Sequence, residues 1–136
     1  MSRKIAFFLF VLFLGCGKQR VELLTDRADA YNRSLRWSSL TAASTLIADD
    51  VRRTMMQKLG EHLGRHRIVD YAIVDLSVDP ESTKGSIVVQ YSFYGIVNQD
   101  LKHQQQLQSW EWDRGKKNWF LKESQDLGPA QQATGD

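Results

Sequence analysis

Ser86-Ile87-Val88-Val89-Gln90-Tyr91-Ser92-Phe93-Tyr94 is the stretch on which the fold turns. Ile87, Val89, Tyr91 and Phe93 fall on every second position, with Gln90 and Ser92 between them. A period of two points alternate side chains to opposite faces, so this is a strand with one buried face. The residues before it, Asp79-Pro80-Glu81-Ser82-Thr83-Lys84-Gly85, are turn formers. Behind that turn, residues 67–78 are rich in Ile, Val and Tyr and predict the partner strand of a hairpin. The strand is expected to run on to Val97, with Ile96 on its outer side and Asn98-Gln99-Asp100 as the next turn. Leu101 to Trp112 then reads as a third, more polar strand, Asp113-Arg114-Gly115-Lys116-Lys117 as a turn, and Asn118 to Lys122 as the last strand.

The first half has a different rhythm. Val21, Leu24, Ala28, Tyr31 and Leu35 recur at three- and four-residue steps and share one helical face. Ser38-Ser39 can cap a short second helix carrying Leu40, Ala43 and Ile47. Asp49 or Asp50 can cap a third, which buries Val51, Met55, Leu59 and Leu63 and is expected to stop at Gly64. Helices first and an antiparallel meander after predict an α+β domain: N-terminal helices packed on a curved antiparallel sheet of about four strands. The domain spans residues 20–123. Residues 124–136, with few large apolar side chains, read as a disordered tail.

The chain opens differently again. Arg3 and Lys4 precede ten apolar residues, Ile5 to Leu14, too few to span a bilayer. The run ends in Leu12-Phe13-Leu14-Gly15-Cys16, and Cys16 is the one cysteine of the chain. This pattern resembles a bacterial lipoprotein signal peptide with its lipobox; an ordinary secretory signal with a cysteine nearby is the competing reading. The resemblance implies that residues 1–15 are removed, that Cys16 is lipidated, and that residues 16–19 form a short tether. Gly17 follows the cysteine, where that family tends to carry Asp for retention at the inner membrane. The expected location is therefore the cell envelope, on the outer membrane and facing the periplasm in a Gram-negative source. A chain without residues 1–15 keeps 16 basic and 16 acidic side chains, since Arg3 and Lys4 leave with the signal. No basic excess then argues for nucleic acid as a partner. An acylated Cys16 forms no disulfide, so the fold rests on its core.

Three further stretches, Tyr31-Asn32-Arg33-Ser34-Leu35-Arg36-Trp37, Ile68-Val69-Asp70-Tyr71, and Trp110-Glu111-Trp112 with Trp119-Phe120-Leu121, occur in an order that resembles the nuclear transport factor 2-like superfamily, also called cystatin-like or SnoaL-like. The resemblance implies a cone in which a bent sheet wraps a long first helix, often with a pocket at the open end. Its members include isomerases, dehydratases, hydrolases and interaction modules, so the fold does not choose a function.

Few residues carry chemistry on their own. Asp70 is the candidate catalytic base, because regular alternation would set it beside Ile68, Ala72, Val74 and Leu76. The plainer reading is a bulge that turns it outward. His62 and His66 stand four apart but have no third ligand in the sequence nearby, so no metal and no cofactor are expected. Tyr91, Phe93, Tyr94, Trp110 and Trp112 are the candidate ligand or partner surface, against the competing reading of core packing. An apolar outer sheet face, including Val88, Tyr94 and Ile96, would suit a homodimer or an envelope partner. Arg20, Arg27, Arg33 and Arg36, with Lys18, crowd the first helix. They read as a solvated face or as contacts to anionic headgroups. The expectation from these residues is a membrane-anchored, non-catalytic module that binds a small apolar ligand or a protein. A small pocket enzyme and a structural envelope subunit are the alternatives.

Overall fold

A computed structural model describes residues 15–129. The expected signal segment lies outside the described residues, except for Gly15 at the start of the first helix. Helix α1 (Gly15–Arg36) is followed by the single-turn α2 (Leu40–Ser44) and by α3 (Arg52–Arg65). Four strands follow: β1 (His66–Val78), β2 (Lys84–Gly95), β3 (Leu101–Asp113) and β4 (Asn118–Pro129). They pair antiparallel in chain order, so the sheet is a meander. Among the described residues no helix is long and apolar enough to cross a membrane.

The alternation in β2 sets the architecture. Ile87, Val89, Tyr91 and Phe93 are all buried. The register continues that inner face across β3 as Gly85↔Trp110, Ile87↔Gln108, Val89↔Gln106 and Tyr91↔Gln104. On β4 it continues as Trp119, Leu121, Ser124 and Asp126. Leu24, Ala28, Tyr31 and Leu35 of α1 pack into this concave face. Helix and sheet meet most closely at Gly85, where a Cβ would stand 2.5 Å from Leu24 Cδ2. Trp110 and Trp119, both fully buried, fill the space beside that contact. A short parallel bridge, Ile47↔Leu121, ties the α2–α3 connection to β4. The tight turns between strands each hold one non-glycine residue in the left-handed region: Ser82 (φ 54°), Gln99 (φ 54°) and Lys117 (φ 51°).

Several local expectations are corrected. Helix α3 starts from Val51 with no side-chain cap. Asp49 pairs instead with Arg52 and Lys116, and Asp50 with Lys122. Gly64 does not stop the helix, which runs through it to Arg65 and passes straight into β1. Strand β2 ends at Gly95, so Ile96 and Val97 belong to an exposed turn rather than to the sheet. Residues 124–129, expected in a disordered tail, are strand: β4 runs to Pro129 because β3 is long enough to pair it as far as Gln104↔Pro129. The rest of that tail lies outside the described residues.

Candidate functional site

A pocket of about 600 Å³ opens at the end of the cone bounded by α3 and the second half of α1. Its helix side is apolar, built by Leu35, Val51, Met55, Leu59 and Leu63, with Ile68 and Phe93 from the sheet. Its strand side is polar, built by Gln104, Gln106, Ser124 and Asp126. The two walls follow from period. Four-residue steps bring one apolar row of α3 to the cavity, and the two-residue steps of β3 and β4 bring amides, a hydroxyl and a carboxylate to it.

The floor is set by Tyr31 and Tyr91. Tyr91 donates its phenol hydrogen to Asn32 Oδ1 and accepts from Gln108 Nε2 at 2.9 Å. Gln108 Nε2 also reaches Asn32 Oδ1 at 2.9 Å, while Asn32 Nδ2 donates to the Ala28 carbonyl at 2.8 Å. All three side chains of this network are buried, and burial pushes the Tyr91 phenol well above its ordinary range. Their polar groups are spent on one another, so the network is structural rather than aimed at a ligand. Tyr31 differs: it stands edge-on to Trp110, with ring centroids 6.0 Å apart, and burial pushes its phenol up as well. Ser124 lines the pocket with its Oγ buried. It stands beside the Tyr31 phenol, whose upward shift a hydrogen bond with Ser124 partly offsets, so the two hydroxyls form one polar spot in the floor.

The rim carries the charges. Asp50 is held below the usual carboxylate range, chiefly by its hydrogen bond from Lys122. Gln106 Nε2 donates to Asp126 Oδ1 at 3.2 Å. His62 lines the mouth and stacks on His66 with ring centroids 4.5 Å apart. Both imidazoles meet the Phe93 ring edge-on. Desolvation, then the neighbouring His66, lowers the His62 pKa below its ordinary value. His66 Nδ1 lies 3.2 Å from the His62 carbonyl. Among the described residues no three His, Cys, Asp or Glu side chains gather as metal ligands.

The structure divides the candidates named from sequence. Tyr91 and Phe93 line the pocket. Trp110 is fully buried beneath it and offers no surface. Trp112 lies toward the other end of the concave face, against Trp119 with ring centroids 5.6 Å apart. Tyr94 pairs with Arg67 and Leu101 on the outer face, away from the pocket. Asp70 does not reach the pocket. The β1–β2 register shifts between Ile68 and Asp70, and the bulge turns Asp70 outward beside Ser92. There it is exposed and its Oδ1 accepts the Tyr71 N–H at 2.9 Å. Cys16 lies in the first turn of α1. Sequence reasoning left out Tyr31 and Ser124 as site residues and weighed His62 only as half of a metal pair. The signal for the polar wall was present: Gln104, Gln106 and Gln108 share one side of a strand, and Asn32 interrupts an apolar helical stripe.

No family model and no curated protein matches the sequence. Solved structures do. A ketosteroid isomerase-like protein from Erwinia carotovora atroseptica superposes with a TM-score of 0.68 at 10% identity, over 82% of this chain and 99% of that one. A candidate dehydratase of the nuclear transport factor 2-like family from Streptomyces avermitilis gives 0.66 at 8% identity, over 85% and 99%. A nuclear transport factor 2-like protein of unknown function in nutrient uptake from Rhodospirillum rubrum gives 0.62 at 14% identity, over 79% and 98%. The chain has the nuclear transport factor 2-like fold. At these identities the likeness concerns the backbone, and the pocket's own side chains carry any argument about chemistry.

Proposed function

We propose that this chain is a lipid-anchored module of the bacterial envelope whose cone binds a small, largely apolar ligand without transforming it. The observation that carries the binding reading is the pocket itself: about 600 Å³, apolar on the helix side, with a few hydrogen-bonding groups on the strand side. That is the usual composition of a small-molecule site. The non-catalytic part is supported by the rim acids. Asp50 is kept ionised by Lys122, whereas a carboxylate base benefits from a raised pKa. The anchor reading is supported by Cys16 and the apolar run before it. Native mass spectrometry of residues 17–136 recovered from a bacterial periplasm tests the ligand. A co-purifying lipophilic molecule, lost in Leu59→Trp, is expected; an empty chain that takes up no apolar probe sinks the proposal. Labelled palmitate incorporated in the wild type and absent in Cys16→Ala is the expected result for the anchor.

A second reading, a small isomerase, dehydratase or hydrolase, is favoured by one feature. His62 is at the mouth, and its lowered pKa leaves the imidazole neutral, the form a general base needs, near pH 7. Solved structures of this fold include proteins described as isomerase-like and as a dehydratase. His62→Gln separates the readings: an enzyme loses turnover, while a carrier keeps its ligand.

A further inference from the structure

A second pocket lies at the opposite end of the molecule, between the start of α1 and the two hairpins β1–β2 and β3–β4. It is lined by Arg20, Glu81, Thr83, Trp112, Arg114 and Lys117. Three cations face one acid, and none of the three forms an ion pair among the described residues. The Arg20 guanidinium lies over the Trp112 ring, 4.5 Å from its centroid, and its Nη1 makes only a long bond, 3.4 Å, to the Ser82 carbonyl. Arg114 and Lys117 project from an exposed hairpin turn. A half-buried indole under a guanidinium beside free cations suits the boundary between apolar chains and charged headgroups.

We propose that this pocket docks the phosphate-bearing headgroups of anionic membrane lipids and so holds the domain on the bilayer with the ligand pocket facing away from it. Charge complementarity gives the occupant. The chain's course gives the place: α1 is continuous from Gly15, so Arg20 is one helical turn, about 6 Å of rise, from Cys16. The apolar run Ile5 to Leu14 leads directly into that end of the helix. Whatever attaches the chain to a membrane through those residues brings this pocket to the headgroups. The antiparallel meander fixes the rest. The β3–β4 turn that bears Arg114 and Lys117 and the β1–β2 turn that bears Glu81 and Thr83 both lie at the α1 start, while the ligand pocket draws on Tyr31 and Leu35 near the α1 end. The proposal adds orientation to the anchored-module reading, and its test does not need an acylated Cys16.

Every core residue lies between Leu24 and Leu121, so residues 17–136 contain the whole core and suit a vesicle assay. Phosphatidylcholine vesicles with and without phosphatidylglycerol are sedimented with this chain. Binding is expected with phosphatidylglycerol alone and is expected to fade with salt. Arg114→Gln and Lys117→Gln should each weaken it about five-fold, and Arg65→Gln with Lys102→Gln, at the far end, should leave it unchanged. Equal binding to both vesicle types, or to neither, overturns the docking. So does an equal loss in the far-end pair, which would mean diffuse charge. Release by inorganic phosphate but not by glycerol phosphate, at constant ionic strength, would assign the pocket to free phosphate and overturn the lipid. Docking that persists while Cys16 takes up no palmitate would sink the anchor alone.

Discussion

The two ends of the concave face are built from the same sheet and the same helix, yet between them one is packed solid behind its charged outer pocket, the closed end, and the other keeps an apolar cavity, the open end. At the α1 start, Leu24 presses on Gly85, and Trp110, Trp119 and Leu121 leave no surface exposed. At the α1 end, the strands offer Gln104, Gln106, Ser124 and Asp126, and α3 stands off as a separate wall. Side-chain size and polarity along β3 and β4 decide the difference. Indoles fill the gap between sheet and helix. Amides and a hydroxyl neither fill it nor tolerate dry contact with leucines, so the gap stays as a cavity that an occupant can share. The Asn32–Tyr91–Gln108 network sits on the border and satisfies the last polar groups before the packed region begins.

The largest break in that comparison comes from the closed end. Trp110→Ala should cost about 3–5 kcal/mol, because a fully buried indole leaves a void that its neighbours fill poorly. Leu59→Ala, on the half-buried wall of the open end, should cost clearly less, since part of its surface already faces a cavity. Urea denaturation of both variants checks the ordering. Equal losses would mean that the pocket is not open in solution.

Next in size is the border. Asn32→Ala deprives the Tyr91 phenol and the Gln108 amide of their shared acceptor, which costs about 1–3 kcal/mol for buried polar groups left unpaired. Tyr91→Phe should cost less than Asn32→Ala, because Gln108 keeps its bond to Asn32. Thermal melts of the two variants rank them. A reversed order would show that the phenol, rather than the asparagine, is the hub.

How much of this was legible in the sequence depends on whether a residue's neighbours along the chain determine its surroundings. The β2 alternation and the α1 stripe were legible, since both are periodic. The side of β1 on which Asp70 falls was not, because a bulge at Val69 reverses the side chains from Asp70 to Ile73, a second at Val74 restores them, and neither leaves a periodic trace. The length of β4 was hidden as well: Ser124 to Pro129 is polar, and its pairing is supplied by β3 rather than by its own composition. Cross-chain meetings such as Tyr91 with Asn32 and Gln108, or Arg20 with Trp112, depend on register and cannot be read from spacing.

The smallest effect, and the sharpest for the open end, is a titration. In the folded chain the His62 pKa is lowered, first by desolvation and then by His66. Below the unfolded value of about 6.5 the unfolded chain therefore binds a proton that the folded chain resists. Stability is full above that pH and falls as pH drops through the window between 6.5 and the folded value. His62→Gln removes this contribution and should flatten the stability profile there, while Trp110→Ala lowers the whole profile without changing its slope. Chemical denaturation across that range separates the two. An unaltered slope in His62→Gln would mean that the imidazole is solvated, and the stack with His66 against Phe93 would then not close the mouth of the pocket in solution.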